Sequence, residues 1–269
     1  MAGSALEIEQ IEKYFPVPQT GVRAFLNPFA PLTHPALLGV SFRVEAGEVA
    51  ALIGANGSGK STLLRILATL LVPTRGHASV AGHDVERQAS QVRAQLGFHS
   101  ATDGGFYSRL TARENLNFFA AMNNLFDAEA ARRLEELIEL MGMHEFIESQ
   151  VRTLSTGQVH RLGLARAMIH RPSVLLLDEP TRSLDPMAAA EFRRFLKTQL
   201  VDRYGTTVLF ASHTLAEVEQ LADRVILLDK GRLVACDSPQ GLRDVTGSAT
   251  LEEALERLTP ASFQTEVLS

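Results

Sequence analysis

Apolar and polar positions alternate first in "LEIEQIE" (6–12), the pattern of a half-buried strand. Residues 16–36, "PVPQTGVRAFLNPFAPLTHPA", hold many prolines and no period, which predicts an extended surface loop. "GVSFRV" and "EVAALI" then read as two strands joined by the turn "EAGE". A helix from about Lys60 to Leu70 follows. "HASVAGHDV" reads as a strand and turn, and "LGFH" (96–99) as a short strand. "SVLLL" and "TTVLFA" are continuous apolar runs, as expected of parallel strands covered on both faces. "RVILLD", "KG" and "RLVACD" predict a closing hairpin.

The period changes from about 101 to 165. "TARENLNFFAAM" and "DAEAARRLEELIELMG" have helical spacing. In the second, Leu134, Leu137, Ile138 and Met141 share one face, with Asp127 as N-cap and Gly142 as stop. Asp185 and Pro186 open a later helix that Gly205 closes. "ATLEEALERL" adds a tail helix with Leu251, Leu255 and Leu258 on one face. The expected architecture is an α/β core at 1–100 and 166–240. It has a mainly parallel sheet and an N-terminal antiparallel β part. A helical lobe is inserted at 101–165, and a helical tail occupies 241–269.

The chemistry concentrates where predicted strands end. Gly54-Ala55-Asn56-Gly57-Ser58-Gly59-Lys60-Ser61-Thr62 fits the P-loop pattern between a strand and a helix. Its glycines let backbone N–H groups turn inward around a diphosphate. Lys60 reaches the outer phosphates, and Ser61 is a ligand for Mg²⁺. A chance glycine-rich turn with this spacing has odds on the order of 1% in such a chain. Asp178 and Glu179 end "SVLLL" at the carboxyl edge of a parallel sheet, where α/β folds bind ligands. Asp178 suits the metal, and Glu179 suits polarisation of an attacking water. His213 follows "TTVLFA" and emerges at the same edge, although Thr214 and Glu217 also spell a capping box. His34, His77, His83 and His144 read as surface histidines. Ser155-Thr156-Gly157-Gln158 is both a capping box and a second anion-facing helix start.

Bulk properties narrow the class. The chain has 269 residues, 45% of them hydrophobic, and a formal net charge of −5. That balance, without a basic run, argues against a nucleic-acid surface. The single cysteine, Cys236, leaves no internal disulfide or cysteine metal cluster. The start "MAGSALEIEQ" lacks the pattern of a signal peptide. No apolar run approaches the roughly 18 residues of a membrane span.

In this order the motifs resemble the ATP-binding subunits of ABC transporters, from about residue 6 to 240. "LSTGQ" is similar to that family's LSGGQ signature, with Thr156 in place of a glycine. "VLLLDEP" resembles its Walker B strand, "SLD" (183–185) its D-loop and His213 its switch histidine. The resemblance implies ATP and Mg²⁺ as cofactors and a head-to-tail pairing with a second such subunit. Ser155, Gly157 and Gln158 of one chain then cover the nucleotide held by the other's P-loop, with Asp185 close by. Tyr14-Phe15 falls where the family stacks an aromatic ring on adenine, and Phe15 fits the register better. The family's glutamine after "LGFH" is missing: Ala101, Thr102 or Asp103 stands there, so either Asp103 substitutes or the linkage works without it. "FYSRLTARENL" resembles subunits serving export permeases of the ABC-2 type. That implies a peripheral location on the cytoplasmic face of the membrane. The rival readings are a soluble ABC-type ATPase outside transport, a P-loop kinase and a nucleotide-gated scaffold. Tandem cassettes or basic arms mark the first, and the last needs no Glu179.

Overall fold

A computed structural model describes residues 3–17, 32–100, 105–182 and 184–259. Two sheets and nine α-helices form among these residues. Strands β1 (Ser4–Val17), β2 (Leu32–Glu45), β4 (Arg75–Val80) and β5 (His83–Asp84) make an antiparallel sheet in the order β2-β1-β4-β5. Strands β3 (Val49–Ile53), β6 (Leu96–Ser100), β7 (Val174–Asp178), β8 (Thr207–Ala211), β9 (Arg224–Asp229) and β10 (Arg232–Asp237) make the second, ordered β10-β9-β3-β8-β7-β6. All of its neighbours are parallel except the β9–β10 hairpin.

The uninterrupted apolar runs have their physical cause here, because the central strands are covered on both faces. Val49, Ala51, Leu175, Leu177, Val208 and Phe210 point into one apolar core. Ala50, Leu52, Val174, Leu176, Leu209 and Ala211 point into the other. The second core is closed by the antiparallel sheet and by helix α1 (Lys60–Leu67), through Leu63, Leu64, Ile66 and Leu67. The short α2 (Ala89–Gln95) adds Val92 to it.

The first core is covered by α3 (Ala112–Met122), α4 (Asp127–Met141) and α5 (Thr156–Ala167), then by α6 (Pro186–Phe195). Helices α7 (Leu215–Leu221), α8 (Pro239–Thr246) and α9 (Leu251–Leu258) complete it. Leu134, Leu137, Ile138 and Met141 are buried as their spacing predicts. Leu251 and Leu255 are buried too, with Leu258 packed at the margin.

Several boundaries differ from the sequence reading. The expected loop at 16–36 is strand at both ends, since β1 continues through Val17 and β2 starts at Leu32. Pro35 is tolerated because β2 is an edge strand, and Pro16 lies beyond Glu12, the last β1 residue paired with β4. Residues 18–31 lie outside the described residues. Helix α1 stops at Leu67, not Leu70, because Thr69 turns left-handed (φ 58°). Phe126, not Asp127, holds the N-cap position of α4, and Asp127 instead joins Glu129 at the positive end of the helix dipole. Gly142 ends that helix in the left-handed conformation, as expected. Helix α8 escaped the sequence reading, although Ser238 followed by Pro239 is an N-cap and first-position proline.

Candidate functional site

Strand register brings the candidate residues to one edge. Leu52, Ala211, Asp178 and Ser100 lie abreast across β3, β8, β7 and β6. The chain therefore leaves this row together at Gly54, at Glu179 and at His213.

Helix α1 begins with Gly59 in a left-handed conformation (φ 107°) and no side-chain cap. Its first N–H groups stay available to a ligand. A Cβ on Gly54 would lie 2.1 Å from the Leu228 carbonyl oxygen, and one on Gly59 2.6 Å from that of Ala36. Only glycine allows the loop to pack this closely. The Ser58 hydroxyl is buried without a protein partner, and Lys60 is buried with its ammonium on the Gly54 and Ala55 carbonyls. Polar atoms aimed into a glycine cradle fit a polyphosphate.

Ser61 Oγ donates to Asp178 Oδ1 at 3.2 Å, across 117 positions of sequence. Burial raises the Asp178 pKa above its ordinary value, partly opposed by the Ser61 hydrogen bond and reinforced by Glu179. Two hard oxygen donors in a partly dehydrated site suit Mg²⁺, whose charge would favour the ionised carboxylate.

Glu179 is held at φ 51°, a strained conformation for a side-chain-bearing residue, with its N–H on the Ala211 carbonyl at 3.0 Å. Its Oε2 accepts from Arg182 at 2.9 Å, and its Oε1 lies 3.7 Å from His213 Nδ1. The edge thus gathers a glycine cradle, two oxygen donors that could hold a metal, a carboxylate and an imidazole, a set suited to metal-assisted nucleotide hydrolysis.

The family model for "ABC transporter" matches residues 37–182, from within β2 to the turn after Glu179. The chain belongs to the ABC transporter ATP-binding subunits. The uncharacterized ABC transporter ATP-binding protein YdbJ of Bacillus subtilis is 40% identical over 232 residues, covering 84% of this chain and 74% of its own. The daunorubicin resistance ATP-binding protein DrrA3 of Streptomyces coeruleorubidus is 39% identical, covering 82% and 69%. A solved structure of an ATP-binding subunit of an ABC transporter superimposes with TM-score 0.79 at 28% identity, over 95% of this chain and all of that one. As an ABC subunit the chain binds and hydrolyses ATP, in a family whose subunits pair and work with a membrane permease. No helix among the described residues is long and apolar enough to cross a membrane.

The ABC signature lies elsewhere in the fold. Ser155 and Gln158 close both bonds of the predicted capping box at the start of α5. The far end of α5 is held by Arg133 of α4, which donates to the Met168 and Ile169 carbonyls. Helix α5 packs on β6, three strands from β3, and three strand spacings amount to about 14 Å. Ser155 is exposed and Gly157 half-buried, and a Cβ on Gly157 would meet nothing within 4 Å. Asp185 caps α6 through the Met187 and Ala188 N–H groups and lines one cavity with Ser155 and Gly157. Phe15 sits on β1 with the Lys13 ammonium 5.4 Å from its ring centre. Ala101, Thr102, Asp103 and Ser183 lie outside the described residues.

One expectation fails at the His213 turn. Thr214 starts α7, yet its side chain caps nothing. Glu217 is fully buried and accepts from Ser212 Oγ at 2.6 Å and Thr181 Oγ1 at 3.2 Å. It braces the turn before His213 against the turn after Glu179. Burial raises its pKa, opposed by those two hydroxyls. The signal was present, since Leu221 follows at i+4 and places Glu217 on the apolar face.

Proposed function

We propose that this subunit binds ATP with Mg²⁺ and hydrolyses it at a site shared between two copies of the chain, powering an ABC-2 type export permease from the cytoplasmic face of the membrane. The Ser61–Asp178 pair at 3.2 Å carries the reading, because it sets two metal donors beside the phosphate loop and next to Glu179. Lys60 and the Gly54–Thr62 backbone hold the phosphates, and Ser61 and Asp178 hold Mg²⁺, which supplies charge neutralisation when bound. Glu179 takes the proton of the attacking water, and His213 supports the outer phosphate. Ser155, Gly157, Gln158 and Asp185 serve the partner's nucleotide. Phe15 stacks on adenine. The working division is a core of 1–100 and 166–240, a lobe of 101–165 and a tail of 241–269.

The daunorubicin resistance relative supports export. The exposed Phe118, Met122 and Phe126, beside a groove of about 690 Å³, support a partner on the lobe. Glu179→Gln keeps shape and loses the base, so ATP binding persists while turnover falls about 10²–10⁴-fold. Turnover near wild type in the purified variant overturns the assignment. Direction is tested in inside-out vesicles containing the permease, where export appears as ATP-dependent uptake.

A further inference from the structure

Helix α5 meets the sheet edge through two histidines that the ATPase chemistry does not use. His99, next to last in β6, is 3% exposed, and neither ring nitrogen has a hydrogen-bond partner. Its ring stands edge-on to that of His160 on α5, with centres 4.8 Å apart. Gly163, one turn further along, leaves the space His99 fills, since a Cβ there would lie 2.5 Å from His99 Cε1. On its other side His160 stacks edge-on against Phe192 of α6 at 5.3 Å. Its ring also has a polar contact with the backbone of Pro180, the residue after Glu179, while its Nε2 has no hydrogen-bond partner. One imidazole thereby touches the sheet edge, the turn after the general base, the helix capped by Asp185 and the helix begun by Ser155. Both rings stay neutral near pH 7, because burial lowers His99 to about 3 and His160 to about 4. Nothing here resembles a cation site. No group of three His, Cys, Asp or Glu side chains gathers among the described residues, and the positive Arg166 faces His99.

We infer that His160 is a positioning residue, fixing the angle at which Ser155 and Gly157 meet the partner's nucleotide relative to Glu179 of its own chain. The inference rests on the shared-site reading above. The neutral ring acts by shape against His99 and Phe192 and by its polar contact at Pro180. A one-ångström error at a site of this kind costs up to about a hundredfold in rate.

The test compares His160→Leu, His160→Asn and His160→Gln in the full-length protein. ATP binding to the monomer is measured with a fluorescent ATP analogue, and ATP-driven pairing is measured in the Glu179→Gln background. His160→Leu is expected to bind nucleotide within about twofold of wild type and to lose about tenfold or more in pairing. At least one amide variant, which keeps an N–H donor, is expected to restore pairing. Phe192→Leu removes the opposite wall, so it is expected to weaken pairing in the same sense even if His160→Leu does not fold. Unchanged pairing in His160→Leu, or in Phe192→Leu should the former not fold, overturns the inference. So does a loss that neither amide restores. Gly157→Asp is the control: if it also pairs normally, the shared-site reading has failed, and the inference falls with it.

Discussion

Helices α1 and α5 both begin at an anion-facing turn, and they satisfy their backbones in opposite ways. Helix α1 has no side-chain cap, and its glycines are required by the chain itself, because a Cβ on Gly54 or Gly59 would strike backbone. Helix α5 is capped by its own Ser155 and Gln158, and its Gly157 faces open space. The first turn is therefore finished only by a ligand bound in the same chain. The second is complete as a helix start, and nothing within the chain demands the missing side chain at Gly157, in line with the proposed role at a partner's nucleotide. A glycine demanded by internal packing and one demanded by a partner look alike in sequence, and the space around them separates them.

Gly59→Ala should have the largest effect. It forces a side chain into φ 107° and against the Ala36 carbonyl, so it should cost at least about 2 kcal/mol and abolish ATP binding. Normal melting and binding would remove the distinction. Next comes complementation between two defective chains, Lys60→Ala and Gly157→Asp, each carrying Glu179→Gln. Neither traps ATP alone, but a mixed pair contains one site with an intact loop and an intact signature. Mixing should restore trapping, and a flat response with mixed pairs present would return "LSTGQ" to a plain helix cap.

The packing beneath α5 gives a pH dependence. His99 and His160 have folded-state pKa values far below 6.5, so the unfolded chain takes up protons that the folded chain does not. Their contribution to stability is complete above about pH 6.5 and is lost as pH falls towards 4 and then 3. His99→Phe should flatten the melting temperature across that window, whereas an unchanged slope would mean the ring takes up protons while folded.

The smallest effect is at Gly157 itself. Alanine there meets no neighbour and belongs in a helix, so Gly157→Ala should stabilise the monomer by about 0.5–1 kcal/mol. The same change at Gly163 should destabilise it, because His99 occupies the space. Equal shifts in chemical denaturation would show that open space was not the difference.

The sequence by itself determined most of the strands, though not the ends of β1 and β2 next to the proline-rich segment, together with the glycine spacing of the phosphate loop and the adjacent carboxylate pair. Period, apolar runs and glycine spacing are local properties, and backbone sterics act within a few residues. It also determined that α5 starts at Ser155, since a capping box closes within four residues. Tertiary structure alone decided which strand ends stand abreast, because register is set by pairing between Asp178, Ala211 and Leu52, far apart in the chain. It decided that Glu217 braces two turns instead of capping a helix, since burial on the apolar face makes the Ser212 and Thr181 hydroxyls its nearest donors. His99 and His160 follow the same logic. In sequence they are two polar residues 61 positions apart, and only the packing of α5 on β6 makes them one junction.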